Sequence, residues 1–92
     1  MANVVARIKV LPKSVETNME ELRKYIKSSL PVGMTLRASR EEPIAFGLVA
    51  LIVDIQFEER DKAMDEIESL LQNLDQVSQV DVTAVSKLST GL

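Results

Sequence analysis

Hydrophobic residues recur with two different periods along the chain, and the changes of period predict six elements. In residues 3–11 every second position is apolar, which is typical of a strand with one buried face. Elsewhere apolar residues are spaced three and four apart, which is typical of helices with one buried face. The predicted elements are strands over residues 3–11, 34–44, 48–57 and 77–88 and helices over residues 18–30 and 61–74. Their order along the chain is β-α-β-β-α-β.

The polarity of the strands predicts their places in the sheet. Residues 34–44 are mostly polar and contain Pro43, which has no N–H to donate, so this strand should lie at an edge. Residues 48–57 are the most hydrophobic and should be central. The element order predicts an α+β, ferredoxin-like βαββαβ sandwich, with a four-stranded antiparallel sheet of order 4-1-3-2 and two helices on one face. In that topology the turn between strands 2 and 3 and the end of strand 4 lie at opposite ends of the sheet.

Two finer patterns concern the first helix and the last strand. Thr17 and, three residues later, Glu20 have the spacing of a capping box, so Thr17 is predicted as the N-cap. Alternation in the last strand predicts one face formed by Val80, Val82 and Ala84 and another formed by Asp81, Thr83, Val85 and Lys87.

The segment from Pro43 to Gly47 is predicted to form a hairpin turn. Gly47 lets the backbone turn beside Phe46, and Pro43 holds the preceding residue extended. Phe46 has the small neighbours Ala45 and Gly47, so its ring could project as a contact residue. The alternative, that Phe46 closes the end of the core, has equal weight at this point.

Composition narrows the class of protein. The chain has 92 residues, 46% of them hydrophobic, with neither cysteine nor histidine and a net charge of −3. We expect one domain over residues 1–88, a short flexible tail over residues 89–92, no signal peptide or membrane span, and cytoplasmic residence. The missing residue types argue against covalent catalysis and metal binding, so neither an enzyme nor a cofactor is expected. Strands 1 and 3 lack open-face aromatic residues, which argues against direct nucleic-acid binding.

Three segments closely resemble a known family. Residues 41–51, with residues 4–12 and 80–88, resemble the archaeal form of translation elongation factor 1-beta. The resemblance implies a ferredoxin-like exchange domain that accelerates GDP release from the GTPase elongation factor 1-alpha. Separately, we expect a monomer and no membrane contact. The resemblance implies that Phe46 docks on the second domain of the GTPase. The other partner-binding residues of the turn are then Pro43, Ile44, Ala45 and Gly47.

The resemblance also implies a role for Lys87. It matches a near-terminal lysine that enters the nucleotide domain of the GTPase, near the magnesium ion and the switch regions. In eukaryotic relatives the chain stops about one residue after that lysine, whereas here residues 88–92 follow.

Two other functions are known for proteins of this topology. A regulatory or structural ferredoxin-like module could oligomerise through an apolar patch on the open face and bind a small metabolite. That patch would consist of Val5, Leu48, Ala50, Ile52 and Val85. An acylphosphatase-like hydrolase is disfavoured, because the loop after strand 1 has no glycine-rich anion-binding nest.

Overall fold

The computed structural model describes residues 3–88, which form a four-stranded antiparallel sheet and two helices. The strands are β1 (Asn3–Pro12), β2 (Met34–Pro43), β3 (Val49–Glu58) and β4 (Val77–Leu88), and the helices are α1 (Met19–Ser29) and α2 (Ala63–Gln72). Every boundary lies within two residues of the predicted one. The sheet order is β2-β3-β1-β4, which is 4-1-3-2 read from the other edge. The predicted tail, residues 89–92, lies outside the described residues.

The core lies between the helices and one face of the two central strands. Alternate residues of β1 and β3 are buried there, together with one face of each helix. The members are Val4, Ala6, Ile8 and Val10 of β1, Met34 of β2, Leu51, Val53, Ile55 and Phe57 of β3, Val77 of β4, Leu22 and Ile26 of α1, and Ala63, Ile67 and Leu71 of α2. Because both helices contribute to this one core, they pack on the same face of the sheet, as the topology predicted. Full burial of a large aliphatic side chain contributes about 1.5–3 kcal/mol.

The two helices begin differently from the prediction and from each other. Asn18 is the N-cap of α1, and its side-chain oxygen accepts a hydrogen bond from the N–H of Glu21 at 3.1 Å. The prediction of Thr17 as N-cap is wrong, because the N–H of Thr17 donates to the carbonyl of Ser14 in the preceding turn. Asparagine caps a helix as well as threonine does. Before α2, Lys62 has a φ of 64° and makes no side-chain cap.

A β-bulge in β4 changes the face that its last residues present. Val82 lies opposite Ile8 and Ala84 lies opposite Arg7, so Thr83 is an extra residue on β4. Its hydroxyl donates a hydrogen bond to the carbonyl of Arg7 at 3.1 Å. Because an extra residue reverses the alternation that follows it, the predicted faces of β4 are wrong beyond this point.

Beyond the bulge, Lys87 lies opposite Val4 and Val85 opposite Ala6, both on the helix-covered side of the sheet. Ala84 lies on the open side instead.

The open face of the sheet is covered by charged side chains. Arg7 pairs with Asp54 at 2.9 Å and Lys9 pairs with Glu42 at 3.3 Å. Ile52 lies between Lys9 and Arg40 in the register, and it is buried along with Ala50. Long charged side chains commonly cover apolar surface with their aliphatic stems.

The predicted association patch is therefore not a continuous apolar surface. Ala50 and Ile52 are buried, and Val85 lies on the other side of the sheet. Oligomerisation through this face loses its basis. Separately, neither helix within residues 3–88 is long and apolar enough to cross a membrane.

Candidate functional site

The turn between β2 and β3 is tightly hydrogen-bonded. The N–H of Ile44 donates to the carbonyl of Leu48 at 2.9 Å, and the N–H of Leu48 donates to the carbonyl of Ala45 at 3.1 Å. The two central residues of the turn, Phe46 and Gly47, have φ values of 59° and 78°. Positive φ at both central residues is what a type I′ turn requires, and this turn matches the twist of paired strands.

Phe46 is both strained and exposed. A φ of 59° lies in the left-handed region, where the backbone conformation of a residue with a Cβ costs about 1–2 kcal/mol of free energy. The residue is 95% exposed, so its ring does not close the end of the core. The isolated fold thus gains little from phenylalanine at a position that glycine or asparagine would occupy more easily.

The structure brings the predicted partner-binding residues together in one turn. Pro43 is the last residue of β2 and is exposed, Ile44 is half-buried, and Ala45 and Gly47 are exposed. Residues 43–49 carry no charged side chain. Their roles toward a partner remain a prediction.

Sequence reasoning missed Val15, which lies beside this turn. A Cβ placed on Gly47 would lie 3.8 Å from Cγ1 of Val15. Val15 belongs to the β1–α1 loop, more than twenty positions away along the chain, and it is 60% exposed. The available signal was a single apolar residue between Ser14 and Glu16, and such residues are common on surfaces.

Lys87 lies near the end of β4, beside the segment that leads into α2. Its side chain is 68% exposed, and its Nζ lies 3.4 Å from Oε2 of Glu59, which is also exposed. The two side chains line a groove with Lys62 and Met64. An exposed ion pair contributes about 0–1 kcal/mol, so Glu59 restrains Lys87 only weakly. The sequence did not reveal this partner, because its contact depends on the bulge at Thr83.

Phe46 and Lys87 lie at opposite ends of the sheet, as the topology predicted. Pro43, beside the turn, pairs with Val49 at one end of β3, whereas Lys87 and Phe57 both lie opposite Val4 at the other end. The eight steps from Val49 to Phe57 span roughly 26 Å at about 3.3 Å per residue. The structure therefore does not bring these two candidate residues into one pocket.

A charge pair on the open face links the two central strands between these ends. Nε and Nη2 of Arg7 donate to the two carboxylate oxygens of Asp54 at 2.9 and 3.1 Å. The hydrogen bond from Arg7 lowers the pKa of Asp54, against the opposing effect of burial, and the charges of Arg37 and Arg40 lower it further. The same pairing raises the pKa of Arg7.

Comparison with known proteins gives a consistent picture. The family model described as "EF-1 guanine nucleotide exchange domain" matches residues 5–88. Elongation factor 1-beta of Desulfurococcus amylolyticus is 44% identical over 90 residues, covering 97% of this chain and 100% of the relative. The proteins of the same name from Methanothermobacter thermautotrophicus and Methanocaldococcus jannaschii are 41% and 40% identical, covering 96% and 94% of this chain and 99% and 98% of the relatives.

Proposed function

The chain belongs to the family of EF-1 guanine nucleotide exchange domains, and from this we infer that it is a guanine nucleotide exchange factor for elongation factor 1-alpha. We propose that it binds the GDP-bound GTPase as a monomer and accelerates GDP release during protein synthesis. The observation that carries this proposal is the placement of two exposed side chains, Phe46 and Lys87, at opposite ends of one sheet. Such an arrangement suits a protein that contacts two domains of a partner at once.

Phe46 is proposed as the docking residue. Its turn is held by two backbone hydrogen bonds, so little backbone freedom remains to be lost on binding. An exposed aromatic ring that enters an apolar pocket can contribute about 2 kcal/mol or more to an interface. The uncharged turn around it adds no buried charge to that interface.

Lys87 is proposed to act at the magnesium and nucleotide site of the GTPase. An ammonium group about 4 Å from another unit charge is worth about 1 to 4 kcal/mol at effective dielectric constants of 80 to 20. Leaving Glu59 costs the lysine about 0–1 kcal/mol, because both groups of that pair are exposed. The energy gained near the magnesium ion can therefore offset the loss of the ion pair with Glu59. The incoming charge of Lys87 then weakens the binding of the metal ion and the phosphates by the GTPase.

This mechanism needs no covalent step. A bound exchange factor and a bound nucleotide weaken each other by the same factor, since their coupling free energy is reciprocal. A coupling of about 4 kcal/mol corresponds to roughly a thousandfold change in affinity. The sheet contributes rigidity, because docking at the turn then fixes where Lys87 arrives.

The proposal is tested by the release of fluorescent GDP from the cognate elongation factor 1-alpha. We expect the release rate to rise with the concentration of this chain and to saturate. A double variant, Phe46→Ala with Lys87→Ala, serves as the matched inactive control. No acceleration by the parent chain at saturating concentration would overturn the proposal.

A further inference from the structure

The loop between β1 and α1 holds an apolar side chain out toward solvent. Val15 is 60% exposed and is not part of the core cluster. The hydroxyl of Ser14 accepts a hydrogen bond from the N–H of Glu16 at 3.0 Å, and the carbonyl of Ser14 accepts one from the N–H of Thr17 at 3.2 Å. These bonds form a local turn around Val15, so the valine is presented on fixed backbone.

The same loop is tied to the end of the sheet that carries Phe46. The N–H of Lys13 donates to the carbonyl of Gln76 at 3.0 Å, which anchors the start of the loop. Val15 then lies against Gly47, where an added Cβ would be 3.8 Å from its Cγ1. Val15 therefore adjoins the turn at Gly47, the neighbour of Phe46 in the chain. We call the exposed residues Val15, Ala45 and Phe46, which come from two separate parts of the chain, the tip surface.

We propose that Val15 is a second docking residue and that the tip surface as a whole seats in an apolar, uncharged depression on the GTPase. The inference rests on the proposed function, in which Phe46 is the central contact. Hot-spot residues are surrounded by weaker contacts that exclude water from them, and Val15 is placed to close one side of the Phe46 contact. Single exposed apolar residues need no explanation, but one that adjoins a docking ring extends its contact area.

The test compares two valine variants with a control of similar exposure. Val15→Thr keeps the branched shape and replaces one methyl group with a hydroxyl, whereas Val15→Asp adds a charge. Tyr25→Asp is the control, since Tyr25 is 56% exposed and lies in the middle of α1, outside the two segments that form the tip surface. The readouts are the concentration for half-maximal GDP release, the maximal release rate and the melting temperature.

We expect Val15→Asp to raise the half-maximal concentration at least about 10-fold, because a charge buried in an apolar contact is left unpaired. Val15→Thr should raise it roughly 3-fold, and Tyr25→Asp less than about 2-fold. The maximal rate should not change, because Lys87 is untouched. In a Phe46→Ala background the effect of Val15→Asp should shrink to less than about 3-fold, since neighbouring contacts are not additive.

The outcomes separate this inference from the proposed function. If the parent chain does not accelerate release, the proposed function fails. If the parent is active and Phe46→Ala weakens docking while Val15→Asp binds like the parent, only the inference fails. Equal weakening by Val15→Asp and Tyr25→Asp would show a general effect of charge and would overturn it. A lowered melting temperature in both valine variants, with unchanged docking by Val15→Thr, would make Val15 a support for the turn and would overturn it as well.

Discussion

Replacing Phe46 with asparagine separates the needs of the fold from the needs of docking. Asparagine tolerates the left-handed backbone region, so the change relieves part of the roughly 1–2 kcal/mol that a φ of 59° imposes on phenylalanine. The ring is 95% exposed, so about 10 Å² of its roughly 200 Å² is buried and its removal costs about 0.3 kcal/mol. We therefore expect the free energy of unfolding to stay constant or rise by up to about 1 kcal/mol.

Docking should respond in the opposite direction. Loss of a ring contact worth about 2 kcal/mol would raise the dissociation constant for the GTPase roughly 30-fold. For a domain of this size, a gain of 1 kcal/mol would raise the melting temperature by about 4–8 °C. Thermal and denaturant unfolding measure the change in stability, and the concentration for half-maximal GDP release measures the change in docking.

Phe46→Ala is the matched control for this experiment. It removes the ring but gains less from the backbone, so it should weaken docking as much as Phe46→Asn without the added stability. A fall of more than about 1 kcal/mol in the unfolding free energy of Phe46→Asn would show that the ring supports the fold after all. Docking as tight as that of the parent would show that the partner is contacted elsewhere.

Three further predictions concern the glycine of the turn, the terminal lysine and the open face. Gly47→Val should lower the unfolding free energy by about 1–2 kcal/mol and slow exchange, because valine does not tolerate a φ of 78°. Asparagine tolerates this backbone region better, so equal melting temperatures of Gly47→Val and Gly47→Asn would contradict the prediction. Lys87→Ala should abolish most of the maximal exchange rate with little change in the half-maximal concentration. Lys87→Arg should be partly active, since a planar guanidinium does not replace a compact ammonium. A maximal exchange rate of Lys87→Ala equal to that of the parent would refute the lysine mechanism. The folded state lowers the pKa of Asp54, so its pair with Arg7 stabilises the protein above the ordinary carboxyl pKa and stops doing so as the pH falls through the lowered value. Unfolding measured from pH 7 to pH 2 should thus depend less on pH in Asp54→Asn, and an identical pH dependence would argue against this role.

The order of the elements and of the strands could be predicted because it depends on patterns within each element. A polar strand with a proline belongs at an edge, and the most hydrophobic strand belongs at the centre, whatever the details of packing. The helix cap was misplaced by one residue because Thr17 and Asn18 are both good caps, and the choice depends on the turn before them.

The site was harder to predict because its features depend on contacts between distant parts of the chain. The residues around Phe46 allowed either a buried or an exposed ring, and the positive φ that accompanies exposure is a property of the folded turn. Val15 and Glu59 had no distinctive local signal, since each matters through a neighbour far away in sequence and a single apolar residue in a polar loop is common. The bulge at Thr83 had one faint signal, the two adjacent apolar residues Ala84 and Val85, which follow the alternating Val80 and Val82.

Because of the bulge at Thr83, the side of the sheet on which the last residues of β4 lie depends on how many residues precede them. Lys87 follows Val82 by an odd number of positions, yet both lie on the same side of the sheet because one residue is not counted in the pairing. The side on which the lysine emerges is thus encoded by how many residues separate it from the core, and not by which residues they are. Relatives with one residue more or fewer in this interval could keep the same core and the same lysine while presenting its charge to the opposite side.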